Sequence, residues 1–337
     1  MVLCLFSRSL SYYKEKKMIN PYFFTGFVQA DGCFHVNIQK SKKSKHNIRL
    51  VPTFYLTQLN SPNKQISPVL RMSRELVGTG HYIADKRYNC SSLRINTLKQ
   101  LNLFLLPHFE SFPLLSTKGK DYLVFKEIVE SMSGLLDKKG LSFSSLLEKS
   151  VLMNNNGKYR KRYKNGLQYS SASKDKKKTG LVEMDPQFVS GLFQGDGSFG
   201  FSFRTRKNRE NDTIPKVAPF FTLGQENLSL DLLEGLQGFF KCGKIYPVSP
   251  NYSRWMVSDQ KVLIERVLPH FEPFPLIGEK NDHLLIFKRC LGLLARKARK
   301  EERQGNIESI VELCYDYNMS GKRRRLSKEE YLRIIAS

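Results

Sequence analysis

Two aspartates stand at matching places in the chain, Asp31 within NPYFFTGFVQADGCFHV and Asp196 within DPQFVSGLFQGDGSFGF. A carboxylate beside glycine at a helix end is commonplace when it occurs once. Repeated in the same setting, it points to a paired site. Oxygen-only ligands of this kind suit Mg²⁺ or another hard divalent cation. In each segment small residues lie four apart, Gly26 with Ala30 and Gly191 with Gly195, which puts them on one helix face. Such a stripe lets two backbones approach closely. If the two helices pack along it, their C-terminal ends converge, each with unpaired carbonyls and a carboxylate. That concentration of negative charge calls for a cation.

Other chemistries fit the residues less well. The six cysteines (Cys4, Cys33, Cys90, Cys242, Cys290, Cys314) form no CxxC pair, which argues against a zinc ribbon or a disulfide framework and for reduced thiols in an intracellular compartment. His108 and His270 recur in PHFE beside Phe109 and Phe271 and read as structural corners. There is no His-His-Glu spacing, no Walker loop, no nucleophile elbow and no dinucleotide fingerprint. The chain has 337 residues and a net charge of +24, a surface that attracts polyanions, and the duplex phosphate backbone is the usual one. No apolar run is long enough for a membrane span.

Positioning the two aspartates takes two copies of one domain. FYLTQLN (from Phe54) matches FTLGQEN (from Phe221), and VGTGHYI (from Val77) matches FKCGKIY (from Phe240). PHFESFPLLSTKGKDYLVFK (from Pro107) matches PHFEPFPLIGEKNDHLLIFK (from Pro269), and NNNGKYRKRY (from Asn154) matches NMSGKRRRLS (from Asn318). The matches are ordered, and together with the aspartate segments they make an internal repeat. Each copy reads α β β α β β α α. The first helix opens at a capping residue followed by proline, Asn20-Pro21 and Asp185-Pro186, and closes at Gly32 and Gly197, which suit a left-handed position. Beyond it Phe34, Val36 and Ile38 alternate with His35, Asn37 and Gln39, and Phe199, Phe201 and Phe203 with Ser202 and Arg204. A second strand ends near Gln58 or Gln225, helices follow at about 64–77 and 228–240, and a later strand carries Arg94 or Arg254. The expected organisation is a leader or targeting segment at 1–19, a first lobe at 20–161, a Lys- and Ser-rich linker at 162–182 and a second lobe at 183–337.

FTGFVQADG and VSGLFQGDG resemble the LAGLIDADG signature: glycine third, a small residue seventh, Asp eighth and Gly ninth. The sixth position is Gln29 and Gln194 where the family name has Asp. Over nearly all of the chain after residue 19, the sequence resembles the single-chain, two-motif, group I intron-encoded LAGLIDADG homing endonucleases. The resemblance implies an α+β fold of two pseudo-symmetric αββαββα lobes packed through their motif helices, each with a curved antiparallel DNA-binding sheet. It further implies that Asp31 and Asp196 hold the metals, faced also by the carbonyls of Ala30 and Gly195. Gln58 and Gln225 then resemble polar residues that stand behind the ligands. Lys118 and Lys280 resemble active-site lysines, which can polarise water or stabilise developing charge.

On that fold the outward strand side chains enter the major groove, so His35, Asn37, Gln39, Arg94, Ser202, Arg204 and Arg254 are expected base readers. Clusters at Lys40–Lys45 and Lys322–Arg325 would bind phosphates. A lobe of this size spans roughly 40 Å, so each covers roughly ten base pairs and the protein roughly twenty. The lobes differ in sequence, which implies a pseudo-palindromic or asymmetric double-stranded target cut by a monomer. The reaction implied is metal-assisted phosphodiester hydrolysis. An alternative within the same family is a maturase that binds intron RNA and assists splicing, and a DNA-binding regulator is third. The intact aspartate pair favours the nuclease. As an organellar intron product, the protein is expected in the mitochondrion or plastid, the mitochondrion preferred.

Overall fold

The computed structural model describes residues 18–44, 47–61, 63–134, 141–157, 183–207, 213–296, 299–315 and 326–336. The expected linker, most of the leader, and Lys45 and Lys322–Arg325 of the basic clusters lie outside the described residues. In the first copy the order is α1 (Pro21–Asp31), β1 (Gly32–Lys40), β2 (Ile48–Leu59), α2 (Pro68–Val77), β3 (His81–Asp85) and β4 (Cys90–Ile95). An irregular helical stretch α3 at 98–111, α4 (Ser116–Met132) and α5 (Phe143–Gly157) complete it. The second copy repeats the plan: α6 (Pro186–Asp196), β5 (Gly197–Lys207), β6 (Thr213–Glu226), α7 (Leu230–Phe240), β7 (Lys244–Ser249) and β8 (Tyr252–Val257). A second irregular stretch α8 at 260–271 follows, then α9 (Glu279–Ala295), α10 (Lys300–Cys314) and α11 (Lys328–Ala336).

The strands form two four-stranded antiparallel sheets, in the orders β1-β2-β4-β3 and β5-β6-β8-β7. Alternation along the strands sends one face of each sheet inward. On the inner faces the same aromatic cluster is built twice. Phe34 lies 5.4 Å from Phe54, 5.5 Å from Phe109 and 5.3 Å from Phe125, ring centre to ring centre. Phe199 lies 5.4 Å from Phe221 and 5.6 Å from Phe287, and Phe221 lies 5.6 Å from Phe271. His108 and His270 sit against these clusters as corners. Desolvation holds both imidazoles down to a pKa of about 4. Thr25 donates its hydroxyl proton to the Phe112 carbonyl at 3.2 Å, so the His108 Nε2 that lies 2.9 Å from Thr25 is the donor of that pair.

The chain divides into two units, Met1–Gly180 with Gln187–Gly195, and Leu181–Pro186 with Asp196–Ser337. The first unit therefore includes the body of α6 as well as α1, and these two helices pack as the small-residue stripes require. A Cβ at Gly26 would strike the Phe188 carbonyl and lie 2.9 Å from the Leu192 amide nitrogen. One at Gly191 would strike the Phe23 carbonyl and lie 2.8 Å from the Phe27 amide nitrogen. Backbone meets backbone at both places, so only glycine fits.

Two expectations need correction. Gly197 opens β5 without a positive φ, and Gly32, with φ −73° and ψ 146°, is likewise already strand, so neither is a left-handed cap. At Gly32 the reason for glycine is space: a Cβ there would run into the Val28 side chain and carbonyl. Arg94 and Arg254 are not equivalents either. Gln58 pairs with Ser91 and Gln225 with Ser253, which makes Ser92 the counterpart of Arg254, and Met256 the counterpart of Arg94.

Candidate active site

Helix α1 starts on Asn20, whose side-chain oxygen accepts from the Tyr22 amide at 2.8 Å, with Pro21 fixing the first helical turn. It ends on Asp31, and β1 begins at once with Gly32. At this helix-to-strand junction the Val28 carbonyl accepts from the Gly32 amide. Lys118, near the start of α4, adds a donor there: its Nζ donates to the carbonyls of Val28 and Ala30, each at 3.1 Å, and of Gly32, the first residue of β1, at 2.7 Å. An ammonium against a helix C-terminus also offsets the partial negative charge there. The structure thus brings Lys118 to Ala30, next to Asp31.

The registration of α4 depends on the motif position that departs from the family name. Gln29 is buried, and its side-chain oxygen accepts from the Leu115 amide at 2.9 Å, tying the residue before α4 to α1. The sequence shows Gln29 only as a departure from the family name and gives it no role. What reveals its role is burial of a polar side chain, which must find a partner.

On the other side, Gln58 near the end of β2 donates to Oδ2 of Asp31. The second unit repeats the bond: Gln225 Nε2 donates to Oδ2 of Asp196 at 2.6 Å. Gly195 comes so close to the first aspartate that a Cβ on it would lie 2.9 Å from Asp31 Oδ2 and against the Ala30 methyl. Lys280 sits in the first turn of α9, as Lys118 does in α4, and contributes to the electrostatics of His283, whose pKa is lowered chiefly by burial.

The expected base readers fall on the outer faces of the sheets. In the first unit His35 Nε2 lies 3.0 Å from Asn37 Oδ1, and Asn37 donates to the Thr53 hydroxyl at 3.1 Å. Gln39 is exposed at the far end of the same strand. Arg94 lies over the Tyr55 ring, 5.5 Å from its centre, with its Nε buried and unpaired in the structure. In the second unit the outer face forms a cleft of about 580 Å³ that takes in Asp196 as well as Ser202, Arg204 and Arg254. Lys216 and Tyr252 also line it, and neither was singled out from the sequence. The strand ladder brings Tyr252 out, because it sets Tyr252 at the place that Cys90 holds in the first copy.

Against known proteins, a family model described as LAGLIDADG endonuclease matches residues 24–129 and again 189–291. The chain belongs to the LAGLIDADG endonuclease family. Each matched range holds one Asp–Gln pair and one of the two candidate lysines. A relative from Mycosarcoma maydis, "Probable intron-encoded DNA endonuclease 1", is 29% identical over 283 residues, covering 78% of this chain and 96% of its own length. The "Probable intron-encoded endonuclease 2" of Neurospora crassa is 25% identical over 303 residues, 88% of this chain and 64% of its own. Among solved structures, the I-LtrWI LAGLIDADG homing endonuclease bound to target DNA superposes with a TM-score of 0.74. That match is at 20% identity and covers 88% of this chain and 97% of that one. The shared fold is the two-sheet α+β architecture described above.

Proposed function

We propose that the protein is a homing endonuclease that cuts both strands of a long double-stranded DNA target, pseudo-palindromic or asymmetric and roughly twenty base pairs in length. The observation that carries this reading is the repeated carboxylate–carboxamide pair, Asp31 with Gln58 and Asp196 with Gln225. Each glutamine comes from the second strand of its copy and fixes an aspartate oxygen. A binding role alone needs no such pair of held carboxylates.

The donor set fits a hard divalent cation, Mg²⁺ foremost. Asp31 and Asp196 would hold such ions, with the carbonyls of Ala30 and Gly195 as further oxygen donors. Among the described residues no group of three or more His, Cys, Asp or Glu comes together. That accords with an ion that takes most of its oxygens from water and phosphate. A bound divalent cation supplies Lewis-acid polarisation of the phosphate. The chain's own residues do the remaining work. Gln58 and Gln225 hold the carboxylates in one orientation. Lys118 brings positive charge to the end of α1, Lys280 stands at the matching place of the second copy, and the two are assigned to stabilise charge that develops on a scissile phosphate. On the outer faces, Arg204, Arg254 and Arg94, with His35, Asn37, Gln39 and Ser202, present the donors and acceptors that discriminate base edges.

The protein acts as a monomer, since one chain carries both motifs. The relatives' intron-encoded names support an organellar intron product, mitochondrial by preference. The test is incubation of the purified chain with its host gene lacking the intron, with and without Mg²⁺. Metal-dependent cutting at one site supports the reading. A protein that leaves that DNA intact, yet binds the intron RNA and promotes its splicing, would overturn it in favour of a maturase.

A further inference from the structure

The two centres are not equivalent, and the difference lies in a pair of facing residues. In β2 and β4 of the first unit, Thr57 faces Ser92 and their hydroxyls lie 2.7 Å apart, with Cys90 next along the open face. In the second unit the corresponding residues are Gly224, Arg254 and Tyr252. The absence of a side chain at Gly224 is filled by the tyrosine. A Cβ on Gly224 would strike the Tyr252 hydroxyl and lie 2.6 Å from Cζ and 2.8 Å from Cε1. The ring therefore lies across the strand that carries Gln225, with its hydroxyl over Gly224, the residue beside it. Tyr252, Arg254 and Asp196 line one cleft, all within the second unit. A phenol holds its proton at neutral pH, so Tyr252 faces this cleft as a hydrogen-bond donor.

We propose that the Tyr252 hydroxyl donates a hydrogen bond to the scissile phosphate of the strand cut at the Asp196 centre, a contact with no counterpart at the Asp31 centre. The assignment rests on the endonuclease reading above and makes Tyr252 a catalytic residue for one strand alone. A phenol suits the position, because its O–H is a good donor to a phosphate oxygen and stands in the same cleft as the Arg254 cation. In the first unit Cys90 offers only a thiol, a weak donor. Arg254 reinforces the difference, since Ser92 brings no charge to the equivalent place.

The test is single-turnover cleavage at saturating DNA, with the two strands labelled separately, for wild type, Tyr252→Phe and Gly224→Ala. Tyr252→Phe keeps the ring over Gly224 and removes only the donor. Loss of a hydrogen bond to a charged group predicts a roughly 10- to 100-fold slower cut on one strand. The other strand should change less than about twofold, by the same reasoning that the phenol has no partner there. Gln225→Leu identifies the strand, which should be the same one. Gly224→Ala pushes a methyl into the ring and should give the same single-strand deficit with the tyrosine present. Equal slowing of both strands, no slowing of either, or a deficit on the strand that Gln58→Leu slows overturns the proposal while the endonuclease reading stands. A wild-type chain that cuts neither strand overturns both.

Discussion

Gln225 donates through Nε2 to Oδ2 of Asp196 at 2.6 Å, and Gln58 makes the same bond to Asp31. A ligand carboxylate is useful only when its lone pairs point at the metal, and the amide fixes which oxygen is turned away. Replacing either glutamine by leucine removes the donor and keeps the bulk. Cleavage should fall by about 10- to 100-fold, and half-saturation should need more Mg²⁺. Target affinity measured without metal should hold. A Mg²⁺ dependence identical to wild type would mean that the glutamines do not orient the ligands.

Gly26 and Gly191 each face backbone of the other helix. Leucine at either place cannot be accommodated by a rotamer change, because the obstructing atoms are main chain. We expect a loss of about 3 kcal/mol or more in urea denaturation, at the upper end of overpacking costs. Wild-type stability in both variants would remove the basis for the helix packing described.

His108 and His270 are buried neutral, with folded pKa values of about 4 against 6.5 when exposed. Between those values the unfolded chain binds protons that the folded chain refuses. Their contribution is therefore complete above pH 6.5 and is lost as pH falls toward 4, up to about 3 kcal/mol for each. His270 stands among Phe239, Phe240, Phe271 and Phe274. His270→Phe should flatten the stability profile from pH 6.5 to 4, measured by denaturation at each pH. An unchanged slope would contradict burial of the neutral form.

Lys216 lies on the outer face opposite Arg204, at the rim of the cleft. Each phosphate contact releases counterions, so log affinity against log salt should have a slope of magnitude about 5 or more for specific DNA. Lys216→Ala should reduce that slope by about 1 without changing the preferred sequence. A salt-independent affinity, or a new preferred base, would show that Lys216 does not contact phosphate.

Much of the architecture was legible because it is written twice. Alternation of Phe34, Val36 and Ile38 with His35, Asn37 and Gln39 fixes which face is buried, and the second copy repeats it with Phe199 and Phe201. The aspartates and glutamines were legible for the same reason. What escaped depends on register and close approach, which residue types do not encode. One step of two residues along β8 exchanges Arg254 for Met256 opposite the first copy's Arg94, and only the hydrogen-bonded ladder fixes that step. The pairing of Tyr252 with Gly224 follows from that register. Gly32 was expected to be left-handed because glycine usually serves that purpose at a helix end; here it avoids Val28 instead. The buried contact of Gln29 with Leu115 joins residues far apart in sequence, and only the packed helices bring them together.

The central claim is that Asp31 and Asp196 hold the ions that cut DNA, and the most direct measurement is cleavage of the intronless target by Asp31→Asn and Asp196→Asn. Asparagine keeps size and polarity and removes the charge. Each variant should bind the target at least as tightly as wild type, since a negative charge near phosphates is gone. Each should cut it slower by about three orders of magnitude or more, the several kcal/mol that Lewis-acid assistance contributes. A doubly substituted chain that cuts duplex DNA at the wild-type rate in Mg²⁺ would contradict the account.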